Sequence, residues 1–499
     1  MWKIKALFVL ALLVCFSLAA TAVAYEEEEW GEGGGRGWEE GGEGGEEGGS
    51  GRREGEDWFV LQDSKNVVKT DAGVMKVVKG FGGRIMKSPM HIGFITMEPR
   101  SLFVPQYLDS SLILFIRRGE ARVGNIYKDE LVERSLKMGD IYRIGAGSAF
   151  YLINTGEGQR LHVVCSIDTS ESLGWHAFQS FYVAGGTYPR SVLSGFDPLT
   201  LSTAFNVSEG ELSELLTGQN KGPIVYLSEP HSEPHSPSMW SNFLDMEQDE
   251  KLAHMKRVVR IRGGDFEQEE EAKPTWSFRK LLISMFGKAG KRGDKRGRVG
   301  KGPDSYNIYD RKPDYKNDYG WSIALDESDY SPLKHDDFGV YLVNLTAGSM
   351  MAPHVNPRAT EYGIVLRGAG TIQIVYPNGT LAMNAKVTEG DVFWIPRYFP
   401  FCQIASRTGP FEFFGFTTSA RDNRPQFLAG ANSLLDTMRG PEFAAAFGLS
   451  EDRLKEILGA QKESVILPSA AVAPPGEKAA PKLMAKVIDT YGNDIVMGF

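Results

Sequence analysis

Beyond Trp58 the apolar residues come in short runs that alternate with polar ones and are broken by Gly, Pro, Asn and Asp. This pattern predicts β-strands joined by tight turns. It also recurs. Gly139-Asp140-Ile-Tyr-Arg-Ile144 matches Gly390-Asp391-Val-Phe-Trp-Ile395, and Phe150 falls opposite Phe401. Gly119 after the run Leu112–Ile116 matches Gly368 after Gly363–Leu366, and Thr203-Ala-Phe205 matches Ala445-Ala-Phe447. Four landmarks in one order, at offsets of about 240–250 residues, predict two homologous units.

Each unit closes on a change of period. Ser208 with Glu211 forms a predicted capping box before Leu212, Leu215 and Leu216. Ser450, Glu451 and Asp452 precede Leu454, Ile457 and Leu458 in the same way. The prediction is an all-β protein with helical extensions: two tandem barrels, each followed by a helical arm. They are placed at residues 57–230 and 302–467.

Composition fills in the remainder. Residues 1–24 read as a signal peptide, with Lys3 and Lys5 before an apolar run and Ala22-Val23-Ala24 at the cleavage site. Residues 25–56 are an acidic Glu/Gly leader unable to bury a core, so they are expected to be disordered. Residues 231–301 form a charged flexible linker ending in the basic run Lys288–Lys301, and 468–499 a flexible tail. The net charge of −9 becomes −11 once Lys3 and Lys5 leave with the signal, a poor balance for holding nucleic acid. No later stretch is long and apolar enough to span a bilayer, so no membrane contact is expected after cleavage. Cys165 and Cys402, in apolar surroundings and different units, are expected to be free thiols. Asn206, Asn344 and Asn378 begin glycosylation sequons, and Asn378-Gly379 also has hairpin-turn chemistry.

The chemistry concentrates in Gly348-Ser-Met-Met-Ala-Pro-His354-Val-Asn356-Pro-Arg358-Ala-Thr-Glu361, closed by Gly368. Alternate strand residues share a face, so His354, Asn356 and Glu361 can converge inside a barrel. With Arg358 they form a candidate pocket for a small organic anion, Arg358 being a plausible partner for Glu361. The spacing is similar to the metal box of the cupin superfamily, in which two His and a Glu bind an ion. Here the second His is Asn356, and the last ligand, from a later strand, is Phe401. In the first unit Gln106 and Phe150 stand near the first and last positions. No metal, no cofactor and no catalytic set is therefore expected.

Tyr319-Gly-Trp-Ser-Ile-Ala324, Val340-Tyr-Leu-Val-Asn-Leu-Thr-Ala347 and Pro396-Arg-Tyr-Phe-Pro-Phe-Cys-Gln403, with the signal and acidic leader, resemble the vicilin-like (7S globulin) seed storage proteins. That resemblance covers nearly all of 58–467. It implies a bicupin of jelly-roll type, a homotrimer joined through the helical arms, and a non-catalytic nutrient reservoir kept in storage vacuoles until germination. Some members hold copper through a Cys-x-His pair and a later His; the matching positions here are Ala352, His354 and Phe399. Two other classes stay open: a cupin binding a small anion or hormone, and a metal-dependent oxidase or dioxygenase.

Overall fold

The computed structural model describes residues 59–227 and 305–474, apart from 62–63, 81–89, 128–129, 175 and 420–422. The predicted signal 1–24, the leader 25–56, the linker 231–301 and the tail beyond 474 lie outside these residues.

In the first half two antiparallel sheets face each other. A seven-stranded sheet is centred on Ser111–Arg118, Leu161–Asp168 and Met90–Met97, and a six-stranded sheet on Ser101–Leu108, Phe150–Asn154 and Ala121–Tyr127. Between them lie Ile95, Leu114, Ile116, Val123, Leu152 and Val163. The central strands are apolar on both faces, which is why they read as continuous hydrophobic runs. In Ser111–Arg118, Leu112, Leu114 and Ile116 point into this core, while Ile113 and Phe115 point out of it into the core of the second half.

The second half is a thirteen-stranded sheet folded around the 15-residue strand Glu361–Val375. That strand pairs along its length with Leu381–Thr388, Val392–Ile395, Pro400–Ala405 and Phe411–Thr417, so one chain segment serves both walls of the barrel. The halves also lend each other strands. Val60–Leu61 pairs with Val392–Ile395, and Tyr306–Asn307 pairs with Asp140–Ile144. Phe115 stacks on Phe414 with centroids 3.8 Å apart. Arg143 makes two 2.6 Å hydrogen bonds to Asp336.

The repeated Gly-Asp turns have one geometry. Gly139 and Gly390 take φ of 91° and 92°, which explains the Gly. Each following Asp accepts a backbone N–H from three residues back: Lys137 to Asp140 at 2.8 Å, and Thr388 to Asp391 at 2.7 Å. At Asn378-Gly379 the hairpin turns with Gly379 at φ 84°, and Asn378 Oδ1 accepts from the Thr380 N–H at 3.0 Å. Asn378 and Asn206 are exposed, whereas Asn344 is half-buried in the strand Gly339–Leu345.

Helices α1 (Pro198–Phe205) and α2 (Glu209–Thr217) follow the first barrel. Helices α3 (Leu434–Thr437), α4 (Pro441–Ala446) and α5 (Glu451–Leu458) follow the second. The capping box at Ser208 and Glu211 is formed in both directions. Leu212 and Leu454 are buried, but Leu215 and Ile457 are 52% and 46% exposed, so only part of each apolar face packs on its own barrel. Ordered contacts run past residue 467: Pro468 ends a strand paired with Ser349–Met351, and Ala473 packs on Cys402 and Ile404. Among the described residues no helix is long and apolar enough to cross a membrane.

Candidate functional site in the second barrel

The barrel of the second half encloses a cavity of about 390 Å³, and His354, Asn356 and Glu361 line it. The strands explain the convergence. His354–Val355 pairs on one side with Pro400–Ala405 and on the other with Gln426–Phe427. His354 lies directly opposite both Phe401 and Phe427, with ring centroids 4.0 and 5.1 Å away. Phe401 thus occupies the place of the distant ligand and fills it. Glu361 opens the long strand and sits opposite Ile395 and Thr417.

Arg358 is placed elsewhere. It is exposed, its backbone N–H donates to Asn423 Oδ1 at 3.3 Å, and it is not among the residues lining the cavity. The structure therefore unites three of the four predicted pocket residues.

Glu361 is 6% exposed and is held by neutral donors. Asn356 Nδ2 donates to Glu361 Oε2 at 2.8 Å, and Gln403 Nε2 reaches Glu361 Oε1 at 3.5 Å. Asn423 Nδ2 in turn donates to Asn356 Oδ1 at 3.2 Å, fixing the amide's orientation. Tyr341, whose hydroxyl reaches the Tyr362 carbonyl at 3.2 Å, also bonds to Glu361. The close approach of Tyr341 depends on Gly415, where an added Cβ would stand 2.3 Å from the Tyr341 hydroxyl. Burial pushes the Glu361 carboxyl up to about 7, against the opposing pull of hydrogen bonds from Tyr341 and Asn356. Burial holds His354 down at about 4, so its ring is neutral at pH 7. Its Nδ1–H donates to the Ala352 carbonyl at 2.7 Å.

Sequence reasoning missed Gln403, Tyr341 and Asn423. Gln403 had a signal: it lies two residues after Phe401 on one strand and so shares its face. Tyr341 and Asn423 are brought in by tertiary pairing, which no local pattern encodes.

These donors do not suit a transition metal. They amount to one imidazole and one carboxylate, and the carboxylate is already engaged by the Asn356 amide that replaces the second imidazole. Among the described residues no group of three or more His, Cys, Asp or Glu could hold an ion.

Fold and site together define a two-barrel cupin protein whose second barrel holds a largely apolar cavity with His354, Asn356 and Glu361 in its wall. The Cupin family model matches residues 306–455. A vicilin-like seed storage protein of Arabidopsis thaliana is 57% identical over 421 residues, covering 84% of this chain and 81% of its own length. The hazelnut (Corylus avellana) vicilin structure superposes with a TM-score of 0.63 at 23% identity, covering 82% of this chain and 99% of that one. The vicilin of Solanum melongena, described as having different anionic ligands in structurally similar pockets, gives 0.63 at 20% identity, with 82% and 97% covered. This chain belongs to the vicilin-like seed storage proteins.

Proposed function

We propose that this protein is a nutrient reservoir that acts without catalysis, accumulating as a homotrimer in protein storage vacuoles and being degraded at germination. The observation that carries this reading is a two-barrel frame kept intact while the metal box inside it is dismantled at Asn356 and Phe401. The exposed apolar residues of the arms support the trimer. Leu199 and Leu215 on the first arm, and Phe447 and Ile457 on the second, are 67%, 52%, 53% and 46% exposed. Such surface calls for a protein partner, and a neighbouring copy's barrel supplies one. Along the chain we assign 1–24 to a cleaved signal, 25–56 to a leader, 57–230 and 302–467 to barrel-plus-arm units, 231–301 to the linker and 468–499 to the tail. Exposed Asn206 and Asn378 are the favoured sugar sites.

Light scattering on the purified protein should return three copies, and Leu215→Glu with Ile457→Glu should return one. Seed extracts should lose the protein on germination; a scarce protein that persists would defeat the storage reading. A metal-dependent oxidase would need stoichiometric Mn, Fe or Cu, so elemental analysis below a tenth of an equivalent per chain disposes of that alternative.

A second reading, a small-ligand binding cupin, draws support from the cavity. The anions of the Solanum melongena vicilin make an organic anion one candidate occupant.

A further inference from the structure

We propose that the cavity of the second barrel binds a small organic cation, an ammonium head on an apolar stem, and disfavours anions. The proposal goes beyond storage, does not rest on it, and takes the opposite charge to the organic anion of the second reading, so the titration below decides between the two. Charge is the first argument. The described lining contains the carboxylates of Asp314, Asp326 and Glu361 and no lysine or arginine. Arg311 is tied to Asp314 at 2.8 Å and offsets its charge, whereas Glu361 is held by the neutral amides of Asn356 and Gln403. Two titratable side chains that line the cavity with it, His354 held down at about 4 and Tyr341 pushed well above its ordinary value, both stay neutral through the physiological range. Above about pH 7, where Glu361 is ionised, an anion entering here would meet a carboxylate and, among the described lining residues, no lysine or arginine to balance it. A cation would supply the missing opposite charge.

Acceptors are the second argument. Gln403 is 1% exposed, lines the cavity, and its Oε1 is buried without a hydrogen-bond partner. Buried polar atoms are seldom left so, and the acceptor stands on the same side chain that approaches Glu361. An ammonium has three N–H donors and no acceptor. It can give one to Glu361 and one to Gln403, where a carboxylate ligand could give none.

The walls are the third. Tyr341, Phe413 and Phe427 present rings to the cavity, with Met351 and Val465 nearby. Aromatic faces attract cations and accept an alkyl stem equally well. A volume of about 390 Å³ accommodates a ligand of several heavy atoms.

The test uses the full mature chain at pH 8 and calorimetry with three matched probes: butylammonium chloride, sodium butyrate and 1-butanol. Butylammonium should give saturable heat at one site per chain, with a dissociation constant at least ten-fold below those of the other two. Glu361→Gln should weaken the amine ten-fold or more, and Gln403→Leu a few-fold, with folding of each verified by circular dichroism. Should Glu361→Gln fail to fold, Gln403→Leu carries the test alone. Tighter binding of butyrate overturns the proposal. So does amine binding that survives these changes but is lost in Asp326→Asn, which would place it at the mouth. No saturable heat from any probe at millimolar concentration overturns it as well.

Discussion

The two barrels use one set of strands to reach opposite interiors. In the first, the void among Met75, Phe103, Gln106, Leu112, Phe150 and Leu152 is about 10 Å³. In the second it is about 390 Å³. The registers show which side chains differ. Gln106 faces Phe150 as His354 faces Phe401. Leu112 faces Ile144 as Glu361 faces Ile395. Leu152 faces Val123 as Gln403 faces Ile372. Two leucines in the first barrel thus stand where the second has a glutamate and a glutamine. Identical pleat and turns give a packed core or a chamber holding a buried carboxylate according to a few inward positions, because a strand fixes where a side chain points and not what it is.

The strongest way to break the comparison is to exchange those positions. Leu112→Glu would place a carboxylate in a space too small for water, with Gln106 and Ser180 as the polar groups lining it. We expect a loss of at least about 4 kcal/mol, read as a collapse of the urea midpoint or of soluble yield. A loss under about 1 kcal/mol would mean that the first barrel can open.

The reverse exchange is subtler and depends on pH. Glu361 has its carboxyl raised from 4.5 to about 7 in the fold. A raised carboxyl favours the folded state while protonated. That contribution is complete below about 4.5 and is lost as the pH rises through about 7. Glu361→Gln should therefore match the parent near pH 4 and exceed it by up to about 3 kcal/mol above pH 7.5. His354, held at about 4, imposes a loss as the pH falls from 6.5, but equally on both proteins. Denaturation across this range checks the difference; a constant gap would show that Glu361 is ionised throughout.

Much of this contrast was legible from the amino acids, and the reasons are physical. The Gly-Asp turns at Gly139 and Gly390, and Phe401 opposite His354, follow from backbone requirements and period-two alternation, which are local. The hydrogen bond from Asn356 to Glu361 and the outward place of Arg358 depend on how a loop leaves one strand and enters the next. Paired charges five or fewer residues apart invite an ion-pair reading, yet here the amide took the carboxylate, and Arg358 is exposed outside the cavity lining. The exchange of Val60–Leu61 and Tyr306–Asn307 between halves is equally non-local, since two-residue strands carry no periodicity of their own.

The helical arms offer the same comparison at smaller amplitude. At α2 the cap is reciprocal: Ser208 Oγ accepts from the Glu211 N–H at 3.3 Å, and Glu211 Oε2 accepts from the Ser208 N–H at 2.9 Å. At α5 Ser450 Oγ accepts from the Arg453 N–H at 3.3 Å, and an arginine stands where the returning acid would be. Loss of one capping hydroxyl commonly shifts a local opening equilibrium about five-fold. Ser208→Ala should speed amide exchange in the first turn of α2 by about that factor or more, because Glu211 then keeps just half of its arrangement. Ser450→Ala should do less at α5, where Glu451 and Asp452 still complement the exposed N–H groups of the first turn. Equal acceleration in both arms would mean that the reciprocal bond adds nothing, and that packing of Leu212 and Leu454 alone sets how firmly each arm is held.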